Sequence, residues 1–391
     1  MNPKHYQYLI VGGGLTAHSA CEGIRSMDPD GTIGILSSSA VAPYAPPPLT
    51  KALWKGDKEE SIFCHTEELG VDLLLNHTVG SIDPQKRIAT DQDGNSYQYD
   101  KLLLATGGTP RRLPVDCSDI IYFRTVEDYR RLRTQATAGT EIAVLGGGFI
   151  GSEIAAALAG QDCRVTLIFA EDAVGGRILP KELAAVVTKD YEAHGIRIMP
   201  GLTVRGVGRN HEKLELSLSN GDHAAANIVV AGLGITPQSG LAASCGLHCD
   251  NGIAVNEFAE AEGASGIYAA GDVALFPCLA LKTTLRVEHE DHAIRHGKAA
   301  GMNMAGAGQR YDHLPFFYSD LFDNGYEAVG ILDNTMPCMV DWHTPGKEAT
   351  VYYLDTERHP RGILTWNSFG KVDQARELIA AGKSVDTARL E

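Results

Sequence analysis

Short apolar, β-branched runs punctuate the chain, and two of them enter glycine-rich turns that open into helical patterns. Tyr6 to Val11 runs into Gly12-Gly13-Gly14-Leu15-Thr16-Ala17, followed by helix-compatible residues to about Met27. Ile142 to Leu145 runs into Gly146-Gly147-Gly148-Phe149-Ile150-Gly151, and the helical pattern continues through Ala155 to Leu158. Each unit reads strand, tight turn, helix. Further strands are expected at Thr32 to Leu36, Leu102 to Leu104, Arg164 to Phe169 and Ile228 to Ala231. The last runs into Gly232-Leu233-Gly234-Ile235-Thr236-Pro237, which resembles Leu104 to Pro110 in character, so an internal duplication of one fold is inferred.

The connecting segments have their own signals. Pro43-Tyr44-Ala45-Pro46-Pro47-Pro48-Leu49-Thr50-Lys51 is a stiff stretch that is expected to be neither helix nor central strand. On spacing alone, Lys51 behind it reads as an exposed lysine. Ile267 to Ala270 is a short strand ending at Gly271, followed by Asp272 and a helix-like segment. Asp272 can reach a polyol hydroxyl at the edge of the first dinucleotide site, or serve as an N-cap. Arg286 to His292 opens a helix expected to run through Ala300. Its three acids and two histidines invite a metal reading, but acids gather at helix starts in any case, and no metal is expected. The tail from about 313 carries the patch Phe316-Phe317-Tyr318-Ser319-Asp320, strands at Ala349 to Leu354 and Gly362 to Trp366, and a helix over Val372 to Ala381, a small α+β unit.

The glycine spacing defines a ligand. Gly146, Gly148 and Gly151 fit G-x-G-x-x-G, in which the first glycine permits the turn, the second admits a pyrophosphate and the third lets helix and strand pack closely. Gly12, Gly14 and Ala17 form the G-x-G-x-x-A variant, and two such units imply two dinucleotides. Glu171 stands 20 positions after Gly151 (171 minus 151), where an acid takes the ribose hydroxyls, favouring NADH over NADPH. The corresponding place in the first unit holds Ser37-Ser38-Ser39, weaker ribose partners.

Composition narrows the class. A chain of 391 residues holds two or three domains. With 44% hydrophobic and 21% charged residues it is globular, and no run approaches the ~20 apolar residues of a membrane span. The first strand begins within about six residues of the start, too soon for a leader peptide, so a cytoplasmic location is expected. A net charge of -15 argues against nucleic-acid binding, whose affinity comes from Lys and Arg on phosphates. The eight cysteines contain no C-x-x-C and read as small core residues.

The order and spacing of motifs resemble the FAD-dependent pyridine nucleotide oxidoreductases of the ferredoxin/rubredoxin reductase type, most closely the apoptosis-inducing-factor branch. The carriers are Gly12 to Ala17 with Ile24-Arg25 and Asp28-Pro29, Pro43-Tyr44 with Pro47 to Lys51 and Leu53-Trp54, Ala105 to Gly108, Gly147 to Glu153, Ile178-Leu179-Pro180, Ala270-Gly271-Asp272, Arg286 to His289, Ser319-Asp320-Leu321 and Gly325 to Gly330. The resemblance implies an α/β protein with two Rossmann-like domains of the glutathione-reductase-like kind plus a small C-terminal α+β domain. The FAD-binding domain would be discontinuous (1–112 and 235–312), the NADH-binding domain would occupy 113–234, and a C-terminal interface domain 313–391. FAD would contact Gly12, Gly14, Ala17, Ser38, Lys51, Ala105, Thr106, Gly107, Gly271, Asp272, Glu288, His289 and Tyr318. NADH would contact Gly146, Gly148, Phe149, Ile150, Gly151, Glu171 and Gly234. Lys51 and Glu153 match positions that pair beside the flavin's reactive nitrogen, which reverses the exposed reading of Lys51 and makes the two the catalytic pair. Phe149 would screen the nicotinamide. The implied activity is hydride transfer from NADH to FAD and onward electron transfer to a ferredoxin- or rubredoxin-like protein or a diffusible acceptor. The alternative is a slow NADH-binding redox sensor, and a homodimer is compatible with either. Three positions depart from the family pattern: Ser38 replaces an acid, Pro46 an arginine and Tyr318 a tryptophan. A disulfide reductase is disfavoured, because Cys21 stands alone on the first helix and Ala42 occupies the place before Pro43-Tyr44 where a single reactive cysteine would stand.

Overall fold

Strand Lys4–Val11 is buried on both faces over its last residues, as a central parallel strand must be. In the computed structural model, which describes residues 3–386, 389 and 390, it pairs in parallel with Ile33–Leu36 on one side and Ser96–Leu104 on the other. Strand Ile267–Ala269 pairs in parallel with Ser96–Leu104 in turn. The registers bring four strand ends level, with Val11 opposite Leu36 and Leu104, and Leu104 opposite Ala269. Asp72–Leu74 extends the sheet beyond Ile33–Leu36, while the antiparallel strands Ile88–Asp91 and Val79–Asp83 extend it beyond Ser96–Leu104.

Helix Leu15–Met27 packs against helix Glu290–Met304 through residues too small to hold the backbones apart. A Cβ at Gly301 would lie 2.0 Å from the Ala20 carbonyl oxygen, one at Gly297 2.5 Å from that of Thr16, and one at Gly23 2.2 Å from that of Lys298. These elements belong to one compact unit, made of the chain up to Pro46, Lys58–Thr109 and Thr236–Pro315.

The second unit gathers Pro47–Asp57, Pro110–Ile235 and the chain from Phe316 onward. Its parallel sheet runs Arg197–Met199, Arg164–Ile168, Glu141–Leu145, Ile228–Ala231, Ile121–Tyr122, again with level ends at Met199, Ile168, Leu145, Ala231 and Tyr122. A three-stranded antiparallel sheet, Val204–Asn210, Lys213–Leu218 and His223–Ala226, accompanies it. The tail forms a five-stranded antiparallel sheet in the order Phe316–Leu321, Asn324–Gly330, Pro360–Trp366, Glu348–Leu354, Cys338–Thr344, backed by helix Val372–Ala381. Trp366, Tyr352 and Tyr353 fill its core.

Three local expectations change. The segment after Asp272 is not helical: a single 3-10 turn, Gly271–Val273, passes into strand Ala274–Cys278, because Pro277 has no N–H for a helix interior. The proline stretch is not wholly irregular, since Pro47–Thr50 closes a 3-10 turn in which Pro47 and Pro48 occupy first-turn positions that need no donor. The helix expected from Arg286 begins at Glu290, with His289 at its N-cap, and continues past Ala300 to Met304.

Candidate cofactor and catalytic sites

In the first unit the level strand ends send four loops from one edge of the sheet: Gly12–Gly14, Ser37–Ser39, Ala105–Gly107 and Ala270–Asp272. Parallel sheets bind ligands at such an edge, where strand order reverses. Gly12 has φ of 117°, and a Cβ there would lie 2.1 Å from the Ala105 carbonyl oxygen. Gly14 caps helix Leu15–Met27 without a side-chain hydrogen bond, the first turn carries no acid, and a Cβ at Gly14 would meet nothing within 4 Å. The turn is therefore a cradle whose free amides and open space suit a pyrophosphate.

The other expected residues of this unit fall on the same loops. Ala105 N–H donates to the Val11 carbonyl, Thr106 Oγ1 donates 2.8 Å to the Gln238 carbonyl, and Gln238 N–H donates back to Gly107. Ser38 is exposed at its strand end, whereas Ser37 is buried, its Oγ 2.2 Å from where a Gly13 Cβ would stand. Gly271, with φ of 73°, lies against Thr16. Arg286 donates to the Asp272 carbonyl at 3.1 Å and pairs with Glu288 at 2.7 Å. Glu288 and His289 thus sit at the N-terminus of helix Glu290–Met304. Arg286 and Gln238 had been given no such role from the sequence, because backbone-directed contacts leave no spacing signature.

In the second unit the cradle recurs. Gly146 has φ of 106° and a Cβ there would lie 2.4 Å from the Gly232 carbonyl oxygen, while one at Gly151 would lie 1.9 Å from that of Gly146. Gly148 caps helix Phe149–Ala159 without a side-chain bond, has open space at its Cβ position, and no acid follows in the first turn. By contrast, helix Val126–Gln135 is closed by a Thr125/Asp128 capping box. Glu171 lies just beyond strand Arg164–Ile168, with Arg177 Nε 4.0 Å from its carboxylate. Gly234, at φ of 80°, follows the strand end at Ala231.

Helix Phe149–Ala159 also carries the candidate catalytic group. Lys51 Nζ lies 2.6 Å from Glu153 Oε2, with the two side chains 12% and 7% exposed; the lysine expected on spacing to be solvated is largely covered. Trp54 fixes the segment that delivers it, donating Nε1–H to the Leu49 carbonyl at 2.8 Å and packing edge-on to Tyr129. Gln161 Nε2 donates to the Trp54 carbonyl and Tyr129 Oη to that of Leu53. Glu153 accepts two further bonds, from Thr50 Oγ1 and Ser319 Oγ, both 2.6 Å.

Strand Phe316–Leu321 fits this helix by matched periods. Residues i and i+4 share a helix face and residues i and i+2 a strand face, so Phe317 packs edge-on to Phe149 at 5.0 Å while Ser319 reaches Glu153. Between them, Tyr318 lies under Lys51 Nζ at 5.2 Å, a cation–π contact. Thr50 and Ser319 were not among the expected site residues. The alternation of Phe317 and Ser319 was a usable signal for the second; only the fold reveals the first.

No group of three or more His, Cys, Asp or Glu side chains among the described residues is placed to hold a metal. Cys21 is fully buried, and burial pushes its thiol up to about 12; none of the eight cysteines is in a disulfide. No helix among the described residues is long and apolar enough to cross a membrane.

Two family models match the chain. The family model for pyridine nucleotide-disulphide oxidoreductases matches residues 6–297, and that for the C-terminal part of mitochondrion-associated apoptosis-inducing factor matches 300–351. The chain is 34% identical to a putative mitochondrial apoptosis-inducing factor 1 of Drosophila melanogaster, over 98% of its own length and 64% of the fly protein's. It is 32% identical to rubredoxin-NAD(+) reductase of Pseudomonas putida over 90% of this chain and 93% of that one. Among solved structures, the reductase in the covalent putidaredoxin reductase–putidaredoxin complex superposes with a TM-score of 0.90 at 29% identity, covering 97% of this chain and 93% of that one.

Proposed function

The chain belongs to the pyridine nucleotide-disulphide oxidoreductase family, and from that premise we propose that it is an NADH-dependent FAD oxidoreductase that hands electrons to a ferredoxin- or rubredoxin-like protein rather than to a disulfide. Held on the first glycine turn, FAD would supply the conversion between a two-electron donor and one-electron acceptors. The observation that carries the reading is the buried Lys51–Glu153 pair in a chain without a cysteine pair for disulfide chemistry. Lys51 brings a fixed positive charge, which favours the negative charge a reduced flavin acquires. Glu153 holds Lys51 in place.

In this reading FAD lies in 1–112 with 235–312, on Gly12, Gly14, Ala17, Ser38, Ala105, Thr106, Gly107, Gly271, Asp272, Glu288 and His289. NADH lies in 113–234, on Gly146, Gly148, Phe149, Ile150, Gly151, Glu171 and Gly234, with 313–391 as the interface domain. The protein works in the cytoplasm. The test is NADH oxidation by the purified yellow protein with ferredoxin and rubredoxin as acceptors. Turnover that rises with acceptor supports the reading; a protein that takes up no FAD, or is not reduced by NADH, ends it.

A second reading rests on the match of residues 300–351 to the apoptosis-inducing-factor C-terminal model. It makes the protein a slow reductase whose NADH-bound form is the signal. Sluggish turnover with every acceptor and a long-lived reduced complex would favour it.

A further inference from the structure

We propose that Ser319 is a positioning residue in a hydrogen-bond relay, Tyr326 to Ser319 to Glu153, that keeps the Glu153 carboxylate a pure acceptor and thereby fixes Lys51. The inference deepens the oxidoreductase reading and rests on it for the role of Lys51. Ser319 and Tyr326 face each other across adjacent strands, and both are buried. Direction follows from chemistry. An ionised carboxylate only accepts, so Ser319 donates its single O–H to Glu153 Oε1 and has only lone pairs left to offer the Tyr326 hydroxyl beside it. Burial first, and the Glu153 charge second, push the Tyr326 hydroxyl far above the ordinary tyrosine range, so it remains a donor at any working pH. On the other oxygen, Oε2, Thr50 and Lys51 converge.

The relay has a rigid mount. The hairpin turn that joins the two strands holds Phe322 at φ of 58°, an uncommon conformation for a bulky residue. His194 stacks on that ring at 3.8 Å and 7°, and Asn324 Nδ2 donates to Asp190 at 3.0 Å. Helix Lys181–Ala193 and the residue that caps it thus clamp the hairpin. The same strand presents Phe317 to Phe149 and Tyr318 to Lys51, so a shift of register would disturb all three contacts together.

Removing an O–H donor from a buried carboxylate withdraws support from its ionised form. In the holoenzyme Ser319→Ala should move the acid limb of the flavin-reduction rate up by about one pH unit, the equivalent of one charge-assisted hydrogen bond. Tyr326→Phe should move it less, and Ser319→Thr should restore it. A second readout needs no NADH: the infrared band of a protonated carboxyl, assigned by its loss in Glu153→Gln, should shift in pH by the same amounts. Rates lowered equally at every pH, or an infrared titration that superposes on wild type, would overturn the relay and leave Ser319 a packing residue. If Ser319→Ala does not fold, Tyr326→Phe decides alone, a shift supporting the relay and a superposed titration ending it. Failure of NADH to reduce the wild-type flavin would instead end the oxidoreductase reading, and the infrared titration would still judge the relay.

Discussion

The two glycine turns begin from nearly one sequence and are completed in different ways. In the second, Gly151 makes its own room against the Gly146 carbonyl. In the first, Ala17 stands at that position, and closeness comes from another helix, whose Gly297 and Gly301 accept the backbones of Thr16 and Ala20. Two positions further along, the first helix has a neutral buried Ser19 and the second a buried Glu153. The first is a neutral mount, the second a mount with a charge on it. In the proposed reading the first turn holds the static cofactor and the second carries the charged pair.

The charge gives the largest expected effect. Lys51→Ala or Glu153→Ala leaves a buried ion without its partner, a loss of about 3–5 kcal/mol, whereas Ser19→Ala should cost about 1 kcal/mol. Flavin-reduction rates and urea unfolding of the single and double variants form a cycle in which the double is less impaired than the two losses added. Strict additivity would show that the two turns do not differ in this way.

Packing comes next. Gly151→Ala in the second turn and Gly301→Ala behind the first each press a methyl against a carbonyl oxygen, at 1.9 and 2.0 Å from the ideal position, and overpacking of this kind costs about 1–3 kcal/mol. Gly301→Ala should lower FAD retention, read from flavin fluorescence on dilution. Gly151→Ala should leave FAD in place and raise the Kd for NADH. Equal effects on both ligands would erase the distinction.

The ribose partners differ as well. Ser38 is exposed at the end of its strand, and Glu171 stands in the corresponding region of the other unit. Glu171→Ser should shrink the NADH over NADPH ratio in kcat/KM by about 2 kcal/mol, roughly thirtyfold, since a carboxylate both bonds a 2′-hydroxyl and repels a 2′-phosphate. Ser38→Asp should tighten FAD by a similar or smaller amount, measured by reconstitution. A Glu171→Ser enzyme with unchanged preference would remove Glu171 from the site.

What was legible in the sequence follows the range of the forces involved. Strand, glycine turn and helix are local, and Tyr6 to Met27 and Ile142 to Leu158 could be read directly. Helix Val372–Ala381 was likewise readable from its own residues. The Lys51–Glu153 contact was reachable only through resemblance, because on spacing alone Lys51 looked solvated. Thr50 and the glycines at 297 and 301 act across long separations, by a hydroxyl or by the lack of a side chain, and neither leaves a period, whereas Ser319 alternates with Phe317. The segment after Asp272 misled because Asp at a turn resembles a helix start until Pro277 is weighed against it.

Acid should separate the two units by the smallest of these margins. His292 and His296 are buried on helix Glu290–Met304, the helix that backs the first turn. Their rings lie 4.7 Å apart among Phe276 and Tyr311. Burial depresses both, His296 to about 3, so the folded chain keeps them neutral where the unfolded chain takes up protons. The sign follows: their contribution is complete above the unfolded value of about 6.5 and is lost as pH falls below it toward the folded value. At pH 5.5 the loss is about 1 kcal/mol for each histidine. His289 at the N-cap of the same helix is likewise held down by burial, to about 4, and all three histidines belong to the first unit. FAD release, followed by fluorescence, should therefore rise below pH 6.5 before NADH affinity changes. His296→Leu should flatten the FAD curve and leave the NADH curve unmoved. A wild-type FAD curve flat from pH 7 to 5, or His296→Leu tracking wild type, would show that protonation of this helix does not govern the first site.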